Sequence, residues 1–266
     1  LLMLGILIPL GAIIAQLFGA EKPVEIVTNV IQGLWISLVL AFISILVLAN
    51  PEPLLYWMGY EEEVIRIAGD YLRALCWGMP AVYAFIVLRM FSEGLSITRP
   101  TMYLSLVGLG VNIVSNYALI FGHFGFPALG AVGAGWTTSV VHWVMFIAML
   151  VFCLKANRFE NYRKFLAFGR PAWLYLREIL RIGLPNGFGL AAEVGMFAMV
   201  SLLMGTFGVT AIAGHQVAIN IASVTFMLPM GLSIAISIRV GQAKGRGNYG
   251  DSRYIGYAGI LLCILM

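Results

Sequence analysis

The chain has 266 residues, of which 61% are hydrophobic and only 11% charged, and its mean hydropathy is +0.94. Soluble domains run near ~45–50% apolar and about 25% charged, so a soluble globular fold is excluded. The formal net charge of +4 and sequence pI near 9.0 would suit a nucleic-acid binder, but the basic residues sit in short loops between apolar runs. That pattern reports orientation in a membrane, not a phosphate-binding face.

Eight apolar runs follow one another, at residues 1–18, 24–49, 64–90, 101–121, 128–154, 179–204, 209–237 and 254–266. Most reach the roughly 20 residues a helix needs to cross the hydrocarbon core. The first and last look cut short by the chain ends, and the start has neither a basic n-region nor a cleavage site. The expectation is an internal piece of a longer membrane protein, without a signal peptide. Cys76, Cys153 and Cys263 are far apart in apolar surroundings, with no metal-ligand spacing or disulfide framework.

The loops between the runs alternate in charge. The first (19–23) carries Lys22, the third (89–100) Arg89 and Arg99, and the fifth (155–181) Lys155, Arg158, Arg163, Lys164, Arg170, Arg177 and Arg181. The seventh (239–253) carries Arg239, Lys244, Arg246 and Arg253. The second is acidic, with Glu52, Glu61, Glu62 and Glu63, and the fourth and sixth hold no Lys or Arg. Only Arg66 and Arg73 fall outside the odd loops, on the opening turns of the third run. Positive-inside logic therefore places the odd loops in the cytoplasm.

The fifth loop divides the chain into 1–154, a cytoplasmic linker 155–178 with a short interfacial helix from Trp173, and 179–266. A weak internal echo crosses that divide. Gln16-Leu17-Phe18-Gly19 resembles Gln242-Ala243-Lys244-Gly245, and Pro9-x-Gly11 resembles Pro229-x-Gly231, at unequal offsets. Two related halves are a common transporter plan.

The sixth run, RIGLPNGFGLAAEVGMFAMVSLLM, has Glu193 as its only charge after Arg181. A carboxylate near the bilayer midplane costs roughly 2.5–3.5 kcal/mol on insertion scales, and intramembrane ionisable groups are functional by default. Glu193 is therefore expected to bind a proton or a cation; the alternative is a glutamate hydrogen-bonded for packing alone. Asn112 and Asn116 share one face of the fourth run by their i, i+4 spacing. They should face the bundle interior, as site residues or as interhelical hydrogen bonds. Pro185, near a helix start, and Pro229, after Met227-Leu228, each remove a backbone donor and are candidates for cavity shaping or gating, with plain helix-start geometry the main reading for Pro185 and a static kink the equal alternative for Pro229. His215, Gln216 and Asn220 follow an uncharged loop near the outer interface, where a histidine can titrate near neutral pH, although such a histidine is more often a satisfied structural residue. No HExxH, Walker A or GxSxG pattern is present, so no enzyme is expected.

Several strings taken together resemble one family. RIGLPNGFGLAAEVGMFA and AIAGHQVAINIASVTFMLPMGLSIAISIRVGQAKGRG are similar to the seventh and eighth helices of multidrug and toxic compound extrusion (MATE) transporters. VNIVSNYALIFGHFGFPALGAVGAGWTTS is similar to their fifth and sixth, and PLGAIIAQLFGA to the end of their second. The resemblance to the NorM-like bacterial branch runs over nearly the whole chain. It implies an all-α, polytopic membrane protein covering helices two to nine of a twelve-helix, two-lobe transporter. It also implies a secondary active antiporter of the bacterial cytoplasmic (inner) membrane, exporting small cationic or amphiphilic compounds in exchange for Na⁺ or H⁺. Glu193 matches the acidic cation-binding residue of the seventh helix, and Asn112 and Asn116 match two polar cation-site positions of the fifth. Some members carry aspartate where Asn116 stands. The expected state is a monomer in the lipid bilayer, with no covalently bound cofactor, no metal and no nucleic-acid partner. A lipid-linked oligosaccharide flippase shares the two-lobe plan but would line its cavity with cations, and no Arg or Lys lies deep in a run here. A membrane enzyme or a channel is a more distant alternative.

Overall fold

The computed structural model describes residues 2–57, 61–163, 169–205 and 207–265. Among them every regular element is helical: α1 (Leu2–Leu7), α2 (Leu10–Gly19), α3 (Pro23–Leu48), α4 (Glu52–Trp57), α5 (Glu62–Cys76), α6 (Met79–Gly94), α7 (Arg99–Leu119), α8 (Gly130–Lys155), α9 (Glu160–Arg163), α10 (Trp173–Gly205), α11 (Val209–Gly245) and α12 (Tyr249–Leu265). The residues 164–168 of the expected linker, with Lys164, lie outside the described set. Among the described residues, six helical stretches are long and apolar enough to cross a membrane, or seven if a bent pair counts as one span. Each of the eight apolar runs corresponds to helix, although α12 has only 17 residues.

The third run is not a single rod. It divides into α5 and α6, bent by 44°. Pro80 enters at the second position of α6, where its missing N–H costs nothing. At the close of α5 the backbone carbonyls are taken by α8: Ser139 Oγ donates to Ala74 O (2.6 Å) and Trp143 Nε1 to Trp77 O (2.8 Å). Two residues one turn apart on α8 thus cap the carbonyls that the helix end leaves open. α5 is amphipathic, burying Ile65, Gly69, Ala74 and Cys76. Its Arg73 pairs with Glu52 of α4 and with Asp70 (3.4 Å). Arg89 and Glu93, read from the sequence as loop residues, lie inside α6 and pair at 2.7 Å. Their i, i+4 spacing lets the helix carry both charges.

Two other sequence boundaries shift. Residues 173–178, expected to form a separate interfacial helix, are the opening turns of α10, which runs unbroken for 33 residues. The seventh run extends to Gly245, with Lys244 in its last turn, where a cation complements the helix dipole. The expected long seventh loop is then only a tight turn. Gly247 takes φ +75°, and Asn248 caps α12 by accepting from Asp251 N (3.1 Å) while donating to Asp251 Oδ2 (2.7 Å). The Asn248 carboxamide thus satisfies one of the open amides in the first turn of α12.

Packing divides the chain into two compact units: Leu1–Ile26 with Gly94–Ser96 and Arg177–Met266, and Val27–Glu93 with Ile97–Leu176. In the first unit α2 lies along α11 and α11 along α12. The α2–α11 crossing is built from backbone. A Cβ at Gly19 would run into the carbonyl oxygen of Gln242, and one at Gly245 into that of Gln16. The two similar four-residue strings therefore meet each other reciprocally, each glycine on the other's glutamine carbonyl.

In the second unit α8 packs against α5 and α7. Gly135 approaches Tyr71 of α5, and Gly108 approaches Met145. Small residues let membrane helices come this close. Behind α8, Phe159 is 1% exposed. It lies 5.1 Å from Phe91 and 5.7 Å from Phe152, ring centre to ring centre. Tyr162 stands edge-on to Phe91, and burial pushes its phenol above the usual tyrosine range.

Candidate functional site

Glu193 sits on α10 within an apolar span, and its side chain is half-buried. It makes no hydrogen bond or ion pair among the described residues. The sequence expectation of a carboxylate inside an apolar helix is met in geometry, and no basic partner neutralises it there. Two turns earlier, Asn186 Nδ2 donates to Gly5 O of α1 (2.7 Å). Gly183 and Gly187 leave no side chain between α10 and α1: a Cβ on Gly187 would meet Leu2 O at 2.7 Å. α10 is thus held by α1 at its glycine-rich segment, one to three turns before Glu193.

Pro185 lies inside α10 and not near its start, because the helix begins at Trp173. A proline there removes one backbone bond and frees the carbonyl four residues earlier, that of Arg181. Pro229 likewise lies inside α11. One turn before it, Thr225 Oγ1 donates to Ile221 O (3.1 Å). Threonine back-bonding and proline are both recognised sources of helix bending, and here they fall on consecutive turns.

Nearer the start of α11, His215 is half-buried and its Nε2 is shielded without a hydrogen-bond partner among the described residues. Gln216 and Asn220 are exposed. Asn112 and Asn116 of α7 are half-buried and bonded to each other, Asn116 Nδ2 donating to Asn112 Oδ1 (3.0 Å). Their common face, expected from spacing, is therefore realised as a direct contact. Asn112 and Asn116 belong to the second unit; Glu193, Pro185, His215, Gln216, Asn220 and Pro229 belong to the first.

Three carboxamides matter that sequence reasoning passed over. Gln242 is 4% exposed, and its Nε2 donates to Gly94 O (3.0 Å) and Ser96 Oγ (2.8 Å). It ties α11 to the segment Gly94–Ser96, where Ser96 adopts φ +61°. Gln32 is 2% exposed. It donates from Nε2 to Arg170 O (3.2 Å) and accepts from Ala172 N (3.0 Å), bracketing Pro171 of the linker. Asn186 is the third. Gln32 and Asn186 are carboxamides within apolar runs, the same signal that singled out Asn112, whereas Gln242 falls in the stretch 239–253 read from the sequence as the seventh loop.

The MatE family model matches residues 1–118 and 185–266. The chain is 39% identical over 263 residues to the multidrug resistance protein MdtK of Yersinia pseudotuberculosis serotype O:1b (strain IP 31758), covering 98% of this chain and 58% of that protein. It therefore spans less than two thirds of the length of that relative. Among solved structures, it superposes on a MATE protein in complex with MaL6 with a TM-score of 0.85 at 25% identity, over 98% of this chain and 57% of the other. The outward-facing conformation of a multidrug resistance MATE family transporter of the MOP superfamily gives 0.84 at 25% identity, with the same coverage. The eukaryotic MATE transporter AtDTX14, at 20% identity and a TM-score of 0.80, shares the fold. The non-enzymatic reading of the sequence agrees with these names. With the family model covering most of its length and the same helical fold throughout, this chain is a multi-pass, all-α membrane protein belonging to the MatE family.

Proposed function

We propose that the protein carrying this chain is a secondary active multidrug efflux antiporter of the bacterial cytoplasmic membrane. It exports small cationic or amphiphilic compounds in exchange for Na⁺ or H⁺ by alternating access, and acts as a monomer. The lobes are 1–154 and 179–266, joined by a linker at 155–178 whose cytoplasmic placement the loop charges support. One observation carries the reading: Glu193, a half-buried carboxylate in an apolar span with no ion pair among the described residues. In a membrane that charge is costly unless a cation or proton visits it. The likeness to a multidrug resistance protein supports drugs as the cargo.

Coupling ion and cationic drug compete for Glu193. Ion binding neutralises the carboxylate, lowers drug affinity and favours release, because a ligand shifts two conformations only by its differential affinity for them. Asn112 and Asn116 supply neutral oxygen ligands in the other lobe, and Pro185, Pro229, His215, Gln216 and Asn220 line or bend the helices of the second. The test is efflux of a fluorescent cation from proteoliposomes under an imposed Na⁺ or pH gradient. Glu193→Gln abolishes gradient-driven efflux while insertion and folding are retained. Undiminished coupled efflux in that variant refutes the assignment.

A further inference from the structure

Between α7 and α8 lies a groove of 770 Å³. Its floor is apolar, formed by Ile97, Tyr103, Leu104, Val151 and Phe152. Its rim carries Arg99, Lys155 and Arg158. Arg99 is the first residue of α7, Lys155 the last of α8, and Arg158 sits in the 3₁₀ turn that follows. The two helices run antiparallel across the short 120–129 connection, so all three cations gather at one end of the pair. That end is where both spans leave their apolar stretches. All three cations are exposed, and none forms a salt bridge among the described residues.

Three unneutralised cations over an apolar slot match a molecule with an anionic head and a hydrocarbon tail. From Lys155 back to Ala148 the groove descends about 10 Å at the helical rise, enough for the first part of an acyl chain. An inorganic anion would leave the floor unused, and a cationic drug would be repelled by the rim. The groove is also distinct from the asparagine pair. Tyr103 precedes Asn112 by nine residues, which places it about 180° around α7.

We propose that this groove is a binding site for an anionic phospholipid, with the headgroup phosphate held by Arg99, Lys155 and Arg158 and one acyl chain lying on Tyr103, Leu104 and Phe152. Juxtamembrane cations attract anionic headgroups in this way, and basic pockets between membrane helices are known lipid sites. The site needs only that the chain spans a bilayer, and stands whether or not the transport reading does.

The experiment is native mass spectrometry of the delipidated, detergent-solubilised protein, titrated with dioleoylphosphatidylglycerol, dioleoylphosphatidylcholine or inorganic phosphate. Phosphatidylglycerol binds in preference to the other two. The triple variant R99Q/K155Q/R158Q weakens it on the order of 100-fold, because the headgroup is left without its three cations. The variant R239Q/K244Q/R246Q, which removes the same charge elsewhere, leaves it unchanged. A148F, which fills the groove and keeps the cations, weakens phosphatidylglycerol as well. Unchanged affinity in R99Q/K155Q/R158Q, equal binding of phosphatidylcholine, or phosphate binding that matches the lipid would each overturn the proposal.

Discussion

Replacing Gln32 by methionine tests how the linker is held. The side chain of Gln32 is almost fully buried and engages two backbone groups either side of Pro171. Proline has no N–H, so Ala172 offers the next amide after Arg170, and one carboxamide spans the pair as a neighbouring strand would. Methionine keeps the length and roughly the volume but neither donates nor accepts. Each lost bond costs about 0.5–1.5 kcal/mol net, together roughly 1–3 kcal/mol. If Ala172 exchanges by local opening, its amide should exchange roughly 5- to 150-fold faster, since ~1.4 kcal/mol is a factor of ten. Hydrogen–deuterium exchange of peptides covering 169–176 reads this directly. Trp35 Nε1 still donates to Gly169 O (3.2 Å), so the segment stays tethered and the effect remains local. Unchanged exchange at Ala172, or an equal rise across α8, refutes the clamp.

Other outcomes follow from the same geometry. Gly245→Ala sets a methyl against the Gln16 carbonyl, where only backbone stands opposite and nothing flexible can yield. Overpacking of this kind costs typically ~1–3 kcal/mol, and the folded fraction after heating, followed by fluorescence-detected size exclusion, should fall accordingly. Asn116→Leu and Asn112→Leu each break the same amide–amide hydrogen bond, of a kind worth about 0.6–1.7 kcal/mol in membranes. Because the partners are the same pair, the double variant should be no worse than the poorer single; strictly additive losses in heat inactivation would contradict the bond.

Helix existence was legible, because hydropathy runs and alternating loop charge report two independent demands of a bilayer. Helix ends were less so. Arg89 and Glu93 read as loop because each is charged, yet paired to each other they remain in α6. The bend before α6 depends on Ser139 and Trp143 of α8, residues more than sixty positions away, and no local pattern encodes it. Pro185 read as a helix start because the amphipathic turns of 173–181 resembled a surface helix; continuity of α10 makes it internal. For the candidate site, the sequence singles out positions where chemistry is expensive, Glu193 and the asparagine pair. Gln32 and Asn186 were equally out of place in apolar runs, but their partners are backbone groups distant in sequence, and spacing cannot reveal those.

The reciprocal seating of Gly19 on Gln242 and Gly245 on Gln16 has a mechanical consequence. At these two points main chain meets main chain, with no side chain between. Forming this seam demands correct register at both glycines at once. Each glycine therefore gauges the register of the whole pairing, since an added atom at either end would push the two helices out of step.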